Sequence, residues 1–252
     1  MSQKDQTQFG EIFQNILNLR NIADHNPHDA RSQFLTFCAN NQGMSKAQLF
    51  QDLLVLFLTK SKRNGTFVEV GAGDGIFLSN SYLLETTFGW SGILAEPAER
   101  WRQDLERNRA CKIDHRCVWK ETDALIEFNE TNQPEFSTIN CFSNRDVHGS
   151  MRDNGKIYAV KTVTLNDLLA QQNCPKQIDY LSIDTEGAEL SILEAFSFND
   201  YNISIITVEH NGIESDRSRI EDILSSRHFS RVFPEFSYFD DWYVHSSLLG
   251  LI

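Results

Sequence analysis

The chain has 252 residues, 40% of them hydrophobic, and a formal net charge of −12. That length suits one large α/β domain, or one domain with a helical extension, and would cramp two full domains. The negative balance argues against nucleic acid or an anionic membrane as the partner, and five cysteines without a C-x-x-C pair give no zinc spacing and suit reduced thiols in a cytoplasmic enzyme.

The polar start Met1-Ser2-Gln3-Lys4 is unlike a signal peptide, and the longest uninterrupted apolar run, residues 53–58, is far short of a membrane span, so no membrane insertion is expected. Apolar residues at helical spacing (Phe9, Ile12, Phe13, Ile16, Leu17, Leu19, Ile22) predict a first helix over 9–25, stopped by Asn26-Pro27. Further helices are expected over 29–39 and 45–60. We read residues 1–60 as a helical extension that caps the core and contributes a lid, with a homo-oligomer contact as the other use of its apolar face, and residues 61–252 as the main domain. Gln51-Asp52 reads equally well as the polar face of a packed helix.

Thr66-Phe67-Val68-Glu69-Val70 is a short β-branched run that ends in Gly71-Ala72-Gly73-Asp74-Gly75 and then turns amphipathic, which reads as strand, tight turn, helix. Glycine there lets a ligand lie against bare backbone. Ile76 stands where a dinucleotide fingerprint would need its third glycine, and an acidic Asp74 would repel a pyrophosphate. A ligand with ammonium and sulfonium charge, such as S-adenosylmethionine, suits Glu69 and Asp74 better than NAD does. Short polar Ser79-Asn80-Ser81 interrupts the next helix, so Asn80 is either a ligand contact or an internal cap. A second buried strand, 92–95, ends at Glu96-Pro97, and an acid at this distance beyond the glycine turn is placed to accept both ribose hydroxyls.

A charged helix over 98–109 follows, then strand candidates at 116–119 and 124–128, the first of them taken as the third strand of the sheet. Residues 129–157 read as a long polar loop and as the acceptor-facing segment, with His148 as a candidate base or sugar contact. After a strand at 159–163, Thr164 caps a short helix with Asp167 at the capping-box position. The fourth central strand, 180–183, delivers Asp184 to the carboxyl edge of the sheet, where Glu186 is a further candidate and Glu189 reads as a helix-dipole partner. The fifth, 203–208, ends in Glu209-His210-Asn211-Gly212. Neighbouring parallel strands would bring Asp184 and Glu209 to one ligand. With Glu186 they form an oxygen set for a divalent ion such as Mg2+ or Mn2+, or, with His210 as the preferred base, a proton-accepting group. A helix over 217–227 and two strands at 231–233 and 241–245 close the chain, with Phe236, Tyr238 and Phe239 near an acceptor groove.

The blocks Gly65-Thr66-Phe67-Val68-Glu69-Val70-Gly71-Ala72-Gly73-Asp74-Gly75, Phe88-Gly89-Trp90-Ser91-Gly92 with Glu96-Pro97, and Ile178-Asp179-Tyr180-Leu181-Ser182-Ile183-Asp184-Thr185-Glu186-Gly187-Ala188-Glu189 resemble the FkbM family of S-adenosylmethionine-dependent methyltransferases. The resemblance implies a Rossmann-like class I methyltransferase fold, α/β, with a mostly parallel seven-stranded sheet flanked by helices. It also implies an O-methyltransferase whose acceptor is a hydroxyl of a sugar, glycan or related small molecule. The family commonly has Asp where Asn166 stands. An NAD-dependent oxidoreductase and a noncatalytic scaffold that keeps the fold are the rival readings.

Overall fold

The computed structural model describes residues 3–251; the side chains of Phe9 and Ile12, counted above in the first helix, lie outside the described set, as do Met1, Ser2 and Ile252. Eleven strands run in chain order: β1 Thr66–Val70, β2 Ser91–Ala95, β3 Lys112–Asp114, β4 Cys117–Val118, β5 Leu125–Glu130, β6 Thr138–Ile139, β7 Lys156–Val163, β8 Gln177–Ile183, β9 Asn202–Glu209, β10 Phe229–Val232 and β11 Asp240–His245. The helices are α1 Gln3–His25, α2 Ala30–Asn41, α3 Gln51–Leu58, α4 Tyr82–Phe88, α5 Arg102–Asn108, α6 Leu165–Gln171, α7 Glu189–Ala195, α8 Glu214–Ser225 and α9 Pro234–Ser237.

Seven strands form one sheet in the order β10-β11-β9-β8-β1-β2-β3, with β11 alone running against its neighbours. This is the expected mostly parallel class I methyltransferase sheet. Its strand order reverses beside β1, and the crevice at such a switch point opens at the carboxyl ends of the strands. Apolar side chains leave both faces, as buried parallel strands require. One face carries Val68, Ile93, Leu181 and Ile206 against α6, α7 and α8. The other carries Phe67, Leu94, Tyr180, Ile205 and Trp242 against α2, α3 and α4.

Helix α3 is the most deeply placed of these, with Leu53, Leu54, Val55, Leu56 and Leu58 all 2% exposed or less. Each such side chain contributes about 1.5–3 kcal/mol on burial, so residues 51–58 are integral to the core. Its polar first residues serve that packing. The Gln51 amide donates to Asp240 Oδ2 at 2.6 Å, and Asp52 accepts from the Ser45 hydroxyl at 2.6 Å and the Lys46 amide at 3.3 Å. The helix expected over 45–60 therefore begins at Gln51, because Ser45 and Lys46 are tied to the Asp52 carboxylate and Ala47 makes a β-bridge to Leu78. Helix α1 packs on α2, and leaves Phe13, Ile16 and Ile22 exposed.

Two expectations for the middle of the chain need correction. The third strand of the main sheet is Lys112–Asp114, and Cys117–Val118 pairs instead with β7 in a second sheet of four strands, β4-β7-β5-β6. A charged three-residue edge strand carries almost no apolar pattern, whereas Cys-Val does. The stretch 129–157 is also less loop-like than expected: Thr138–Ile139 pairs with Phe128 and Asn129 on β5, and β7 already starts at Lys156.

Candidate active site

The carboxyl edge of the main sheet opens on a cavity of about 850 Å³, within the size range of small-molecule sites. Strand β1 delivers the glycine turn to its floor. Gly71 sits at φ +89°, and a Cβ there would stand 1.6 Å from the Asp184 carbonyl oxygen, so no larger residue fits between β1 and β8. The Asp74 carboxylate closes the turn by accepting from the amides of Ile76 at 2.8 Å and Phe77 at 2.7 Å.

Strand β2 delivers Glu96 to the same wall. Its carboxylate accepts from the Gly73 amide at 2.9 Å and the Ala98 amide at 2.8 Å, which aims it across the glycine turn. Burial raises its pKa to about 7, against the lowering effect of those two amides. Beyond it, Pro97 and Trp101 face Cys117, Val118, Phe128 and Ile139 of the second sheet across an apolar slot. Tyr158 accepts from the Glu99 amide at 2.9 Å and donates to Glu130 at 2.7 Å, and Arg100 donates to the Thr131 carbonyl at 3.0 Å.

Strands β8 and β9 bring Asp184, Glu186 and Glu209 together, with one carboxyl oxygen of each within 4.8 Å of the others. Burial, then the neighbouring Asp184, pushes Glu186 up to about 9 and Glu209 well above the carboxylate range. Asp184 is raised by burial too, with the hydrogen bond to the Glu209 carboxyl working against that rise. Burial with like charges at this spacing makes the group hold protons at neutral pH. Arg152, whose side chain is fully buried, donates to Glu186 at 2.7 Å, to Asp146 at 2.7 Å and to the Phe136 carbonyl at 2.9 Å. It thereby clamps the 129–157 segment onto the tip of β8. Asn211 bridges Glu186 at 3.2 Å and Glu209 at 3.1 Å.

Of the residues singled out from the sequence, Gly71, Gly73, Asp74, Glu96, His148, Asp184, Glu186 and Glu209 line this cavity. His148 lies on its outer wall, stacked on Phe136 with ring centroids 4.6 Å apart. Glu69, Asn80 and His210 are not on the wall, and each has a physical reason. Glu69 is buried under the turn, where it accepts from the Ser79 hydroxyl at 3.0 Å, the Asn80 amide at 2.8 Å and the Ser81 hydroxyl. Asn80 donates to Ser182 Oγ at 2.9 Å, and its carbonyl oxygen is left without a partner.

His210, expected as the preferred base, does not line this cavity. It follows the last residue of β9, and its Nδ1 accepts from the Gly212 amide at 3.1 Å while Nε2 lies 3.9 Å from Asp241. Burial lowers its pKa. Glu189 accepts from the Thr185 amide at 2.7 Å and the Gly187 amide at 3.0 Å, as a helix-terminus acid should. Phe239 lines the cavity, while Phe236 packs against the core and Tyr238 is exposed.

Sequence reasoning passed over Trp101, Phe128, Phe136, Arg152 and Arg109 as parts of the site or its frame. Arg109 was read as one charge of a charged helix. Its side chain is fully buried and donates to Glu85 at 2.5 Å, the Gly75 carbonyl at 3.0 Å, Ser79 at 3.1 Å and Ser81 at 2.9 Å, which fixes the glycine turn from below. Its place directly after the amphipathic Trp101-x-x-x-Leu105 pattern was the available signal.

The donor expected from the sequence fits these walls. Bare backbone at Gly71 and Gly73 on the wall, a carboxylate at Glu96 with lone pairs left for two hydroxyls, and apolar side chains beside it are the features an adenosyl group needs.

Among solved structures, the chain is similar at a distance to several methyltransferases. These include a precorrin-6y C5,15-methyltransferase from Geobacter metallireducens GS-15 (9% identity, TM-score 0.38, 77% of this chain and 85% of that one). A putative RNA methyltransferase from Pyrococcus horikoshii shows 12% identity, TM-score 0.38 and 77% and 80% coverage. A methyltransferase from Pyrococcus furiosus shows 12% identity, TM-score 0.36 and 77% and 81% coverage. No curated protein matches the sequence. The sequence itself matches the Methyltransferase FkbM domain over residues 69–240, which takes in every strand tip described above, and the chain belongs to that family.

Proposed function

We propose that this methyltransferase uses S-adenosylmethionine to methylate a hydroxyl of a sugar, glycan or related small molecule, with the Asp184–Glu209 pair receiving the hydroxyl proton. The observation that carries the proposal is the convergence of Asp184, Glu186 and Glu209 on the cavity that holds the glycine turn. Family membership sets aside the NAD-dependent oxidoreductase.

When bound, the donor supplies an electrophilic methyl group on a sulfonium sulfur. The chain's own contribution is to hold and to exclude. Glu96 accepts the ribose hydroxyls, Gly71 and Gly73 give bare backbone to the methionine portion, and the Pro97–Trp101 and Val118–Phe128 slot takes the adenine. Asn80, with its free carbonyl oxygen below the turn, and Glu69 act by shaping that turn. On the acceptor side, a hydroxyl is a poor nucleophile at neutral pH, and a carboxylate within about 3 Å remedies that by taking its proton as the carbon–oxygen bond forms. Asp184 is the member of the trio assigned to this, because it lines the cavity directly beside Gly71 of the glycine turn. His148 and Phe136 offer a stacked face to the rest of the acceptor.

Asp184, Glu186 and Glu209 are also the oxygen set that would hold Mg2+ or Mn2+ and lower the pKa of an acceptor hydroxyl. Within the 1–60 extension, α3 belongs to the core, and of the described residues Gln48 alone reaches the cavity wall, which limits any role as a lid to the stretch before α3. No described helix is long and apolar enough to cross a membrane.

Transfer of labelled methyl from S-adenosylmethionine to a glycan and small-molecule extract, with and without chelator, tests the proposal. Label on oxygen supports it, and loss of transfer on chelation assigns the metal. Label on nitrogen or carbon defeats the O-methyl assignment, and no transfer by a protein that binds the donor favours the scaffold.

A further inference from the structure

We infer that the acceptor reaches this cavity without an anionic group: it is a neutral or cationic hydroxyl compound with an apolar face, not a sugar phosphate, nucleotide sugar, uronic acid or nucleic acid. The inference rests on the methyl-transfer reading above and narrows its substrate class.

Among the described residues, the wall carries acids and no free cation. Asp74, Glu96, Glu135, Asp184, Glu186 and Glu209 line the cavity, and among the described lining residues Arg100 is the one lysine or arginine. Arg100 is engaged elsewhere, bonded to the Thr131 carbonyl at 3.0 Å and lying over the Trp101 ring at 5.4 Å. The guanidinium of Arg152 does not line the wall, and its donors are taken by Asp146, Glu186 and Phe136.

Backbone could replace the missing cations, since free amides at a turn or helix start bind phosphate well. Here the chain's own acids already fill those places. At the tip of β1 the Asp74 carboxylate takes the amides of Ile76 and Phe77, at 2.8 and 2.7 Å. At the tip of β8 the Glu189 carboxylate takes those of Thr185 and Gly187, at 2.7 and 3.0 Å. An anionic acceptor would find no free amide or cation where a phosphate site presents them. The outer wall adds the second half of the class: Phe77 and Val147 line the cavity while 67% and 84% exposed, beside the Phe136–His148 stack. Exposed apolar surface at a cavity mouth marks a binding face.

A like charge about 10 Å from an acceptor, at an effective dielectric of about 20, is worth more than about a tenfold change in kcat/KM. The test uses labelled S-adenosylmethionine and an extract of the native host's glycans and small molecules, divided beforehand on an anion exchanger at neutral pH. We expect label in the unretained pool at more than about ten times the level in the retained pool. Label chiefly in the retained pool overturns this inference and leaves methyl transfer standing. Label in neither pool, from protein that binds S-adenosylhomocysteine, overturns the methyl-transfer reading and this inference with it.

Discussion

Glu96→Gln separates a ligand-binding carboxylate from a merely structural one. Glu96 has two jobs in the structure: it accepts from the Gly73 and Ala98 amides, at 2.9 and 2.8 Å, and it faces the cavity. The amide side chain keeps one acceptor oxygen and turns an NH2 toward the other N–H, leaving a buried donor unsatisfied at a cost to the fold of about 1–3 kcal/mol. That cost is present with and without ligand and does not weaken binding. The binding loss comes from the two ribose hydroxyls, whose bonds to a charged acceptor are each stronger by about 1 kcal/mol than bonds to a neutral one. A total near 2 kcal/mol corresponds to about a 30-fold rise in Kd for S-adenosylhomocysteine. Calorimetry at pH 8, where Glu96 is ionised in the wild type, measures the affinity, and urea unfolding measures the fold term separately. A variant that loses stability but binds within about threefold of wild type would refute the ribose assignment.

The same group sets a pH dependence. If ribose binding needs the Glu96 carboxylate, Kd for S-adenosylhomocysteine rises as pH falls below about 7, levelling off at about 30-fold, is flat above it, and Glu96→Gln removes that dependence. For the fold the sign is opposite: a carboxyl raised from 4.5 to about 7 contributes stability that is complete at low pH and is lost as pH rises through about 7. Gly71→Ala, with its Cβ 1.6 Å from the Asp184 carbonyl oxygen, should abolish S-adenosylhomocysteine binding and lower the melting temperature; normal affinity would mean that β1 and β8 move apart at little cost. Asp184→Asn should lower kcat by about 10²–10⁴ with donor affinity nearly kept, whereas His210→Ala should leave both within about threefold. The reverse pattern would restore the histidine as base. Arg152→Ala strips the buried Asp146 and Glu186 carboxylates of their partner and should cost about 3–5 kcal/mol in urea unfolding, with Glu186→Gln added to it recovering part of the loss. An unchanged unfolding midpoint would show that the clamp does not hold the 129–157 segment.

What the sequence made legible was local chemistry joined to a simple topological rule. Gly71 and Glu96 could be placed because the turn after a first strand and the acid after a second one are fixed within one βαβ unit. Asp184 and Glu209 met because their strands are parallel neighbours. His210 lies just past the end of β9 with its ring held by the Gly212 amide and beside Asp241, contacts that no sequence pattern shows. Glu69 and Asn80 sat near the right turn, yet the Ser79 and Ser81 hydroxyls and the Asn80 amide consume Glu69, and no sequence pattern shows that competition. Lys112–Asp114 was missed because an edge strand of three residues needs little apolar pattern. Arg109 and Arg152 were invisible for a different reason: a charge is read as solvated until long-range packing shows it buried among carboxylates.

A crystal structure of the protein with S-adenosylhomocysteine tests the central claim most directly. The account predicts both ribose hydroxyls on Glu96, the chain of the ligand against Gly71, and the adenine between Trp101 and Phe128. Ligand bound away from this cavity, or a ribose that leaves Glu96 without contact, would contradict it.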